Sequence, residues 1–134
     1  MWNVIRVAYF DNDKAPILLG PIAQVVELIS KQNLPVHVAS HWKFGPHIGV
    51  LVERDSALFE SEVYPSCAAI IQAWLAQSPS NTALVPEDYE KLSYQLAMSE
   101  LEPPPYLPLM QNNTVTVGTY QRSQSINIDG FHGT

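Results

Sequence analysis

The sequence predicts an α+β fold in which an antiparallel sheet carries helices on one face. Three observations predict this class: a β-type run at the N-terminus, two further β-type runs joined by a Gly-Pro turn, and two apolar stripes with helical spacing. In chain order the elements are β-α-β-β-α-α-β, which relates the fold to the split β-α-β, ferredoxin-like arrangement. Such a fold leaves the second sheet face without helices. Unless that face is polar, we expect dimerisation or a second subunit to cover it.

The first strand is predicted over residues 2–10, where β-branched and aromatic residues dominate. Apolar side chains fall on both faces, which indicates a central strand. Arg6 is the charged exception. Two interpretations of Arg6 stay open: an arginine at a sheet end or paired with a carboxylate, and a charged group aimed into a site.

The first helix is predicted to follow the turn at residues 11–14 and to run to about Gln32. Its apolar face repeats at intervals of three and four residues. Gly20-Pro21 falls inside this pattern and predicts a separate first turn or a kink, with the regular helix beginning near Pro21. Asn33 is a plausible C-cap.

Residues 36–42 alternate between apolar and polar positions, and residues 47–53 are strongly β-type, so both are predicted strands. Their short connection predicts antiparallel pairing. Asp55 is expected to cap a second helix over residues 56–77, which Pro65 divides. This helix places Cys67 on its buried stripe.

A third helix is predicted to begin at Pro86, with Tyr89, Leu92 and Leu96 on its packed face. The proline-rich residues 102–113 are expected to be extended. A short strand follows at Thr114-Val115-Thr116-Val117. We therefore expect a single α+β domain over residues 1–120 and a loose polar tail over residues 121–134.

Charge and composition exclude several classes of protein. Thirteen acidic and seven basic residues give a net charge of -6, which disfavours a general nucleic-acid or anionic-membrane surface. The single cysteine excludes an intrachain disulfide. The N-terminus does not resemble a signal peptide, and no apolar run is long enough to span a membrane. We therefore expect a cytoplasmic protein.

Three histidines at positions 37, 41 and 47 suggest a metal site, but their spacing argues against it. On one strand, His37 and His41 share a face but lie roughly 13 Å apart. No cysteine or aspartate completes a ligand set nearby, so ordinary hydrogen-bonded histidines are the better interpretation. Cys67 is interpreted as a core residue and not a nucleophile. No phosphate loop or dinucleotide fingerprint is present, and we expect no cofactor.

His47 is the strongest candidate for chemistry. It follows Gly45-Pro46 and opens a strand, so the sheet would hold its ring, and histidine exchanges protons near neutral pH. With Lys43 and Arg6 it could instead bind a carboxylate or phosphate. The alternative is a hairpin residue that is hydrogen-bonded to the backbone.

Short motifs along residues 2–120 resemble the C-terminal domain of lantibiotic dehydratases, whose standalone versions are thiopeptide-type bacteriocin biosynthesis proteins. The strongest is His41-Trp42-Lys43-Phe44-Gly45-Pro46-His47-Ile48. The others are Trp2 at a strand start, Leu18–Ile22, Pro79-Ser80, Ala97–Glu100, Pro104–Leu109 and Asn112–Val115.

The resemblance implies a domain that removes glutamate from glutamylated serine or threonine in a precursor peptide, or a relative used for ring-forming cycloaddition. It implies that His47 matches the histidine of a strand-opening Pro-His motif. Arginines expected around that histidine are replaced by Ser40, Gly49 and Leu51, and Tyr120-Gln121-Arg122 lacks the motifs usual in that region. The chain is therefore expected to be a half-length member.

Two functions follow as hypotheses. In the first, a lyase-type subunit binds a peptidyl or aminoacyl intermediate and assists elimination, with His47 as the acid or base. Its substrate-binding residues would be Arg6, His41, Trp42 and Lys43, and it would act as a homo-oligomer or with a partner subunit. In the second, the chain is a non-catalytic binding or assembly module that recruits a partner enzyme or peptide.

Overall fold

The computed structural model describes residues 1–119, which contain four strands and three helical stretches. The strands are β1 (Trp2–Ala8), β2 (Val36–His41), β3 (His47–Glu53) and β4 (Thr114–Thr119). They form one antiparallel sheet in the order β2-β3-β1-β4. The predicted fold class and the predicted order of elements are both confirmed.

The first two helical stretches share an unusual construction. In each, a single α-turn leads into five residues of π-helix and then into a regular helix. The segments are α1 (Ala15–Ile17), π-helical Leu18–Ile22 and α2 (Ala23–Ser30), then α3 (Ser56–Leu58), π-helical Phe59–Val63 and α4 (Tyr64–Gln77). The third stretch is α5 (Pro86–Glu100).

Two prolines account for where these helices change form. Pro21 lies inside the first π-helical turn, and Pro65 lies in the first turn of α4. A proline cannot donate the i→i−4 hydrogen bond, and its ring crowds the preceding carbonyl, so a wider turn accommodates it. The predicted irregularities at both prolines are confirmed, and so is the Asp55 cap, whose Oδ1 accepts from the Ala57 amide at 2.9 Å.

The core lies between one sheet face and the helices α1 to α4. The sheet contributes Ile5, Val7, Ile48, Val50 and Val52, all fully buried. The helices contribute Ile17, Ile22, Val25, Ile29, Phe59, Val63, Cys67, Ile71 and Leu75. Cys67 is therefore a core residue, and burial raises the pKa of its thiol to about 11.

Helix α5 packs only partly through the predicted face, of which Tyr89 is buried and Leu96 half-buried. Its buried residues are Tyr89, Ser93 and Ala97, whereas Leu92 is 45% exposed. The Ser93 hydroxyl donates to the Tyr89 carbonyl at 2.8 Å, so it needs no other partner when buried. The apolar periodicity missed Ser93 and Ala97 because one is polar and both are small.

The second face of the sheet carries the polar candidates. Antiparallel partners share a face, so His41, His47 and Ala8 form one rung, and Arg6 lies opposite Gly49 in the next. His37 lies opposite Leu51, four residues from His41 on the same face as predicted. The predicted tail lies outside the described residues. No helix in residues 1–119 has the length and apolar character to cross a membrane.

Candidate functional site

The β2–β3 hairpin turn is held in one conformation by its own backbone and by hydrogen bonds from two other segments. Phe44 and Gly45 have φ of 65° and 102°, and the Gly45 amide donates to the Trp42 carbonyl at 3.0 Å. The same carbonyl accepts from the Tyr89 hydroxyl at 2.7 Å, while the Met110 amide donates to the Phe44 carbonyl at 2.7 Å. Helix α5 and the proline-rich segment therefore fix the turn that carries the histidines.

His47 has a defined tautomer. Its Nδ1 lies 3.0 Å from the carbonyl oxygen of Gly45, which can only accept, so Nδ1 carries the proton and Nε2 carries a lone pair. Burial lowers the pKa of His47 to about 4; the hydrogen bond to Gly45 opposes this effect, and His41 and Arg6 add smaller contributions that lower it. At neutral pH His47 is therefore an uncharged ring that presents a hydrogen-bond acceptor.

His41 has the opposite tautomer. Its Nδ1 accepts from the Lys43 amide at 3.0 Å, so the proton lies on Nε2. That atom faces the Glu100 and Glu102 carboxylates at 3.8 and 3.9 Å. Burial lowers the pKa of His41, and the two carboxylates oppose this effect. The His41 and His47 rings lie 5.9 Å apart between centroids.

The Lys43 ammonium group already has partners. It donates to Glu102 Oε1 at 3.3 Å and to the Pro103 carbonyl at 2.9 Å. It also lies 5.5 Å from the Phe44 ring centroid and 5.9 Å from that of Tyr106. Its charge is therefore neutralised by Glu102 and partly covered by aromatic rings.

Trp42 joins this cluster through stacking. Its ring lies 5.2 Å from the His41 ring in a stacked arrangement and 5.8 Å from the Tyr106 ring. The Trp42 Nε1 atom is buried and has no hydrogen-bond partner within residues 1–119. A buried indole N–H without a partner is uncommon in a folded protein. In the described part of the chain, Trp42 therefore keeps one unused hydrogen-bond donor beside the β2–β3 hairpin.

Arg6 lies on the same sheet face, one rung away from His41 and His47. No carboxylate of the described chain pairs with it, and burial lowers its pKa. It lies in the middle of β1, not at a sheet end. Its guanidinium group covers the backbone of Gly118 in β4. Within residues 1–119, Arg6 is therefore neither at a sheet end nor part of an ion pair.

A network of polar side chains lies where β1 ends and β4 begins. The Asp11 carboxylate accepts from Ser80 and Thr82, which holds its pKa below the usual range. Asn113 accepts from the Ser80 amide at 2.7 Å and donates to its carbonyl at 2.9 Å. The Asn112 Oδ1 accepts from the Phe10 amide at 3.0 Å. These bonds fix the exit of β1 beside the entry of β4.

The structure thus brings His41, Trp42 and His47 together, pairs Lys43 with Glu102, and places Arg6 further along the same face. In the residues that the structure describes, no group of three histidine, cysteine, aspartate or glutamate side chains could hold a metal ion. Two contributors were missed in the sequence: Glu102, which precedes a run of prolines, and Gly118. A glycine directly after the predicted Thr114–Val117 strand was the available signal, since glycine in a strand often marks close approach.

Comparison with known proteins gives a match in structure alone. No protein-family model matches the chain, and no curated protein matches its sequence. Twelve chains of solved structures match. One is described as "Pyridine synthase, TbtD, from thiomuracin biosynthesis", with a TM-score of 0.79 and 24% identity over 88% of this chain. The match spans 38% of that synthase chain, so the likeness concerns the fold of this part.

Proposed function

We propose that this chain acts in the biosynthesis of a lanthipeptide-like or thiopeptide-like natural product. On this proposal it binds a peptidyl or aminoacyl intermediate on the second sheet face and assists an elimination, as a homo-oligomer or with a partner subunit. Two findings support the proposal: the fold is shared with part of a synthase of thiomuracin biosynthesis, and the strongest of the motifs that resemble the lantibiotic dehydratases forms the β2–β3 hairpin turn.

The observation that carries the proposal is the tautomer of His47. Because Nδ1 is tied to Gly45, the bare Nε2 can accept a proton from a carbon next to a carbonyl. The C–H electron pair then forms the new C=C bond, while the C–O bond to the departing carboxylate breaks. The pKa of about 4 makes free His47 a weak base. A bound anion would raise this pKa, because negative charge favours the imidazolium form.

Arg6 is the best candidate to hold the carboxylate of the intermediate. It is partly exposed on the same face, and within residues 1–119 it makes no ion pair. Guanidinium groups bind carboxylates through two parallel hydrogen bonds. Lys43, in contrast, is paired with Glu102. Its role on this proposal is therefore to shape the surface that it forms with His41 and Trp42.

The test compares two substitutions of His47. His47→Asn keeps a donor near the Nδ1 position, whereas His47→Gln keeps a polar atom near Nε2; neither takes up a proton at neutral pH. The purified protein, alone and with the products of neighbouring genes, is given a serine peptide esterified with glutamate on its side chain. Mass spectrometry follows the loss of glutamate. We expect elimination by the wild type and loss in both variants. Full elimination by both variants would exclude His47 as the base.

The low pKa of His47 also favours a second candidate, a non-catalytic module that binds a peptide or partner enzyme. Binding alone is measured with the amide analogue of the ester peptide, which carries diaminopropionate in place of serine and does not eliminate. Tight binding of this analogue, together with no elimination under any condition, would support the module. Solution mass, alone and with the neighbouring gene products, tests assembly; a strict monomer that binds none of them would count against it.

A further inference from the structure

Gly118 occupies a position in β4 where its backbone does not require glycine. It pairs in regular antiparallel register with Val4, and its φ is not in the left-handed region. Glycine is disfavoured in strands because it packs no side chain and gains backbone freedom on unfolding. Glycine at position 118 is therefore explained by the space that a side chain would need and not by the backbone conformation.

The space above Gly118 is filled by Arg6. A Cβ at position 118 would stand 2.7 Å from Arg6 Nη1, 3.7 Å from Cζ and 3.9 Å from Nη2. Arg6 itself lies opposite Thr116, so its side chain leans along β4 to reach the bare backbone. The guanidinium group therefore occupies the volume that any other residue at 118 would claim.

We propose that Gly118 is a positioning residue, which acts by seating the Arg6 guanidinium group against the backbone of β4. The inference deepens the proposed function, on which its ligand-binding part rests. Holding the guanidinium group against β4 fixes its distance from His47. His47 lies on β3, and β1 lies between β3 and β4. The site is then matched to a ligand whose carboxylate lies several bonds from the atom that faces His47.

Substitution at 118 separates positioning from folding. The atoms that a new Cβ would meet are the far end of a flexible side chain, so the guanidinium group swings away while the sheet stays intact. Among the described residues no carboxylate would pull it back. Gly20→Ala is the control, because the three atoms nearest its Cβ all belong to the Trp74 ring, the first at 3.2 Å, and it lies in the helical layer and not on the sheet face of Arg6.

The first measurement uses the protein without ligand. Nuclear magnetic resonance of the Arg6 side-chain Nε–H group is compared in wild type, Gly118→Ala and Gly20→Ala. We expect a changed signal in Gly118→Ala and an unchanged one in Gly20→Ala. An unchanged signal in Gly118→Ala would overturn the inference. If Gly118→Ala is unstable but Arg6→Gln/Gly118→Ala is not, the contact between the two positions is supported in another way.

The second measurement is a double-mutant cycle on binding of the amide-analogue peptide, followed by calorimetry. We expect Gly118→Ala to weaken binding about tenfold in the wild-type background and not at all when Arg6→Gln is present. Equal weakening in both backgrounds would overturn a role through Arg6. If the wild type binds no analogue while the Arg6 signal still responds to Gly118→Ala, the proposed function fails and the positioning role stands.

Discussion

The Lys43 ammonium group and the Glu102 carboxylate form an ion pair at 3.3 Å between residues 59 apart in sequence. The side chains are only 19% and 9% exposed, so water screens the pair weakly. This pair ties the turn of the β2–β3 hairpin to the segment that follows α5. The conformation of the turn, and with it the placement of His47, therefore depends on a residue far along the chain.

Glu102→Gln is expected to lower the free energy of unfolding by about 2 kcal/mol, because it leaves the Lys43 charge partly buried without a partner. Urea unfolding measures the effect. Lys43→Met/Glu102→Gln should recover part of the loss. Glu27→Gln is the matched control, since its pair with Lys31 is 4.0 Å long and both side chains are more than 70% exposed. A loss as large in the control would contradict this account.

Gly45→Ala is expected to destabilise the fold by about 2 kcal/mol. The residue has φ of 102°, and a Cβ there would stand 2.8 Å from Cε1 of Phe10. The Gly45 carbonyl also holds His47, so the histidine resonances should shift in the variant. The same substitution in a Phe10→Leu background removes the ring contact and should cost less. Identical losses in the two backgrounds would show that backbone strain alone is responsible.

His47 should make the fold sensitive to acid. Its pKa is about 4 in the folded protein and near 6.5 when unfolded, so between these values the unfolded chain binds more protons. Stability should therefore fall as the pH drops from about 6.5 to about 4, by on the order of 3 kcal/mol from this residue. His47→Asn should show a shallower fall, measured by urea unfolding at several pH values. A parallel fall in the variant would show that other groups cause it.

Asn113 should be more sensitive to alanine than to glycine. It adopts φ of 62° and exchanges two hydrogen bonds with Ser80. Asn113→Gly keeps the backbone conformation and loses the bonds, for about 2 kcal/mol. Asn113→Ala loses the hydrogen bonds and also strains the left-handed backbone, so it should cost about 1 kcal/mol more than Asn113→Gly. Thermal unfolding compares the variants, and equal melting temperatures for all three proteins would rule out this role.

The elements of this fold could be predicted because local patterns specify them. Alternation in residues 36–42, the Gly45-Pro46 turn and the Asp55 cap each depend on neighbours within a few residues. The prediction that His37 and His41 share a face also followed from the two-residue period of a strand. In α5 periodicity identified the buried Tyr89 but missed Ser93 and Ala97.

The arrangement of the candidate site could not be predicted in the same way. Glu102 neutralises the charge of Lys43. Gly118, which lies 112 residues from Arg6 in sequence, leaves the space that the Arg6 guanidinium group occupies. Neither contact leaves a periodic trace. The positions of His41 and His47 were accessible, but their tautomers require knowledge of which atoms their ring nitrogens meet.

The strand order β2-β3-β1-β4 has a consequence for how the protein is made. Of the four strands, β1 is synthesised first and its neighbour β4 last. Until residue 119 has emerged, one edge of β1 is open and Arg6 lacks the backbone on which it rests. The candidate site is therefore completed only when β4 has been synthesised, after the hairpin that carries the histidines.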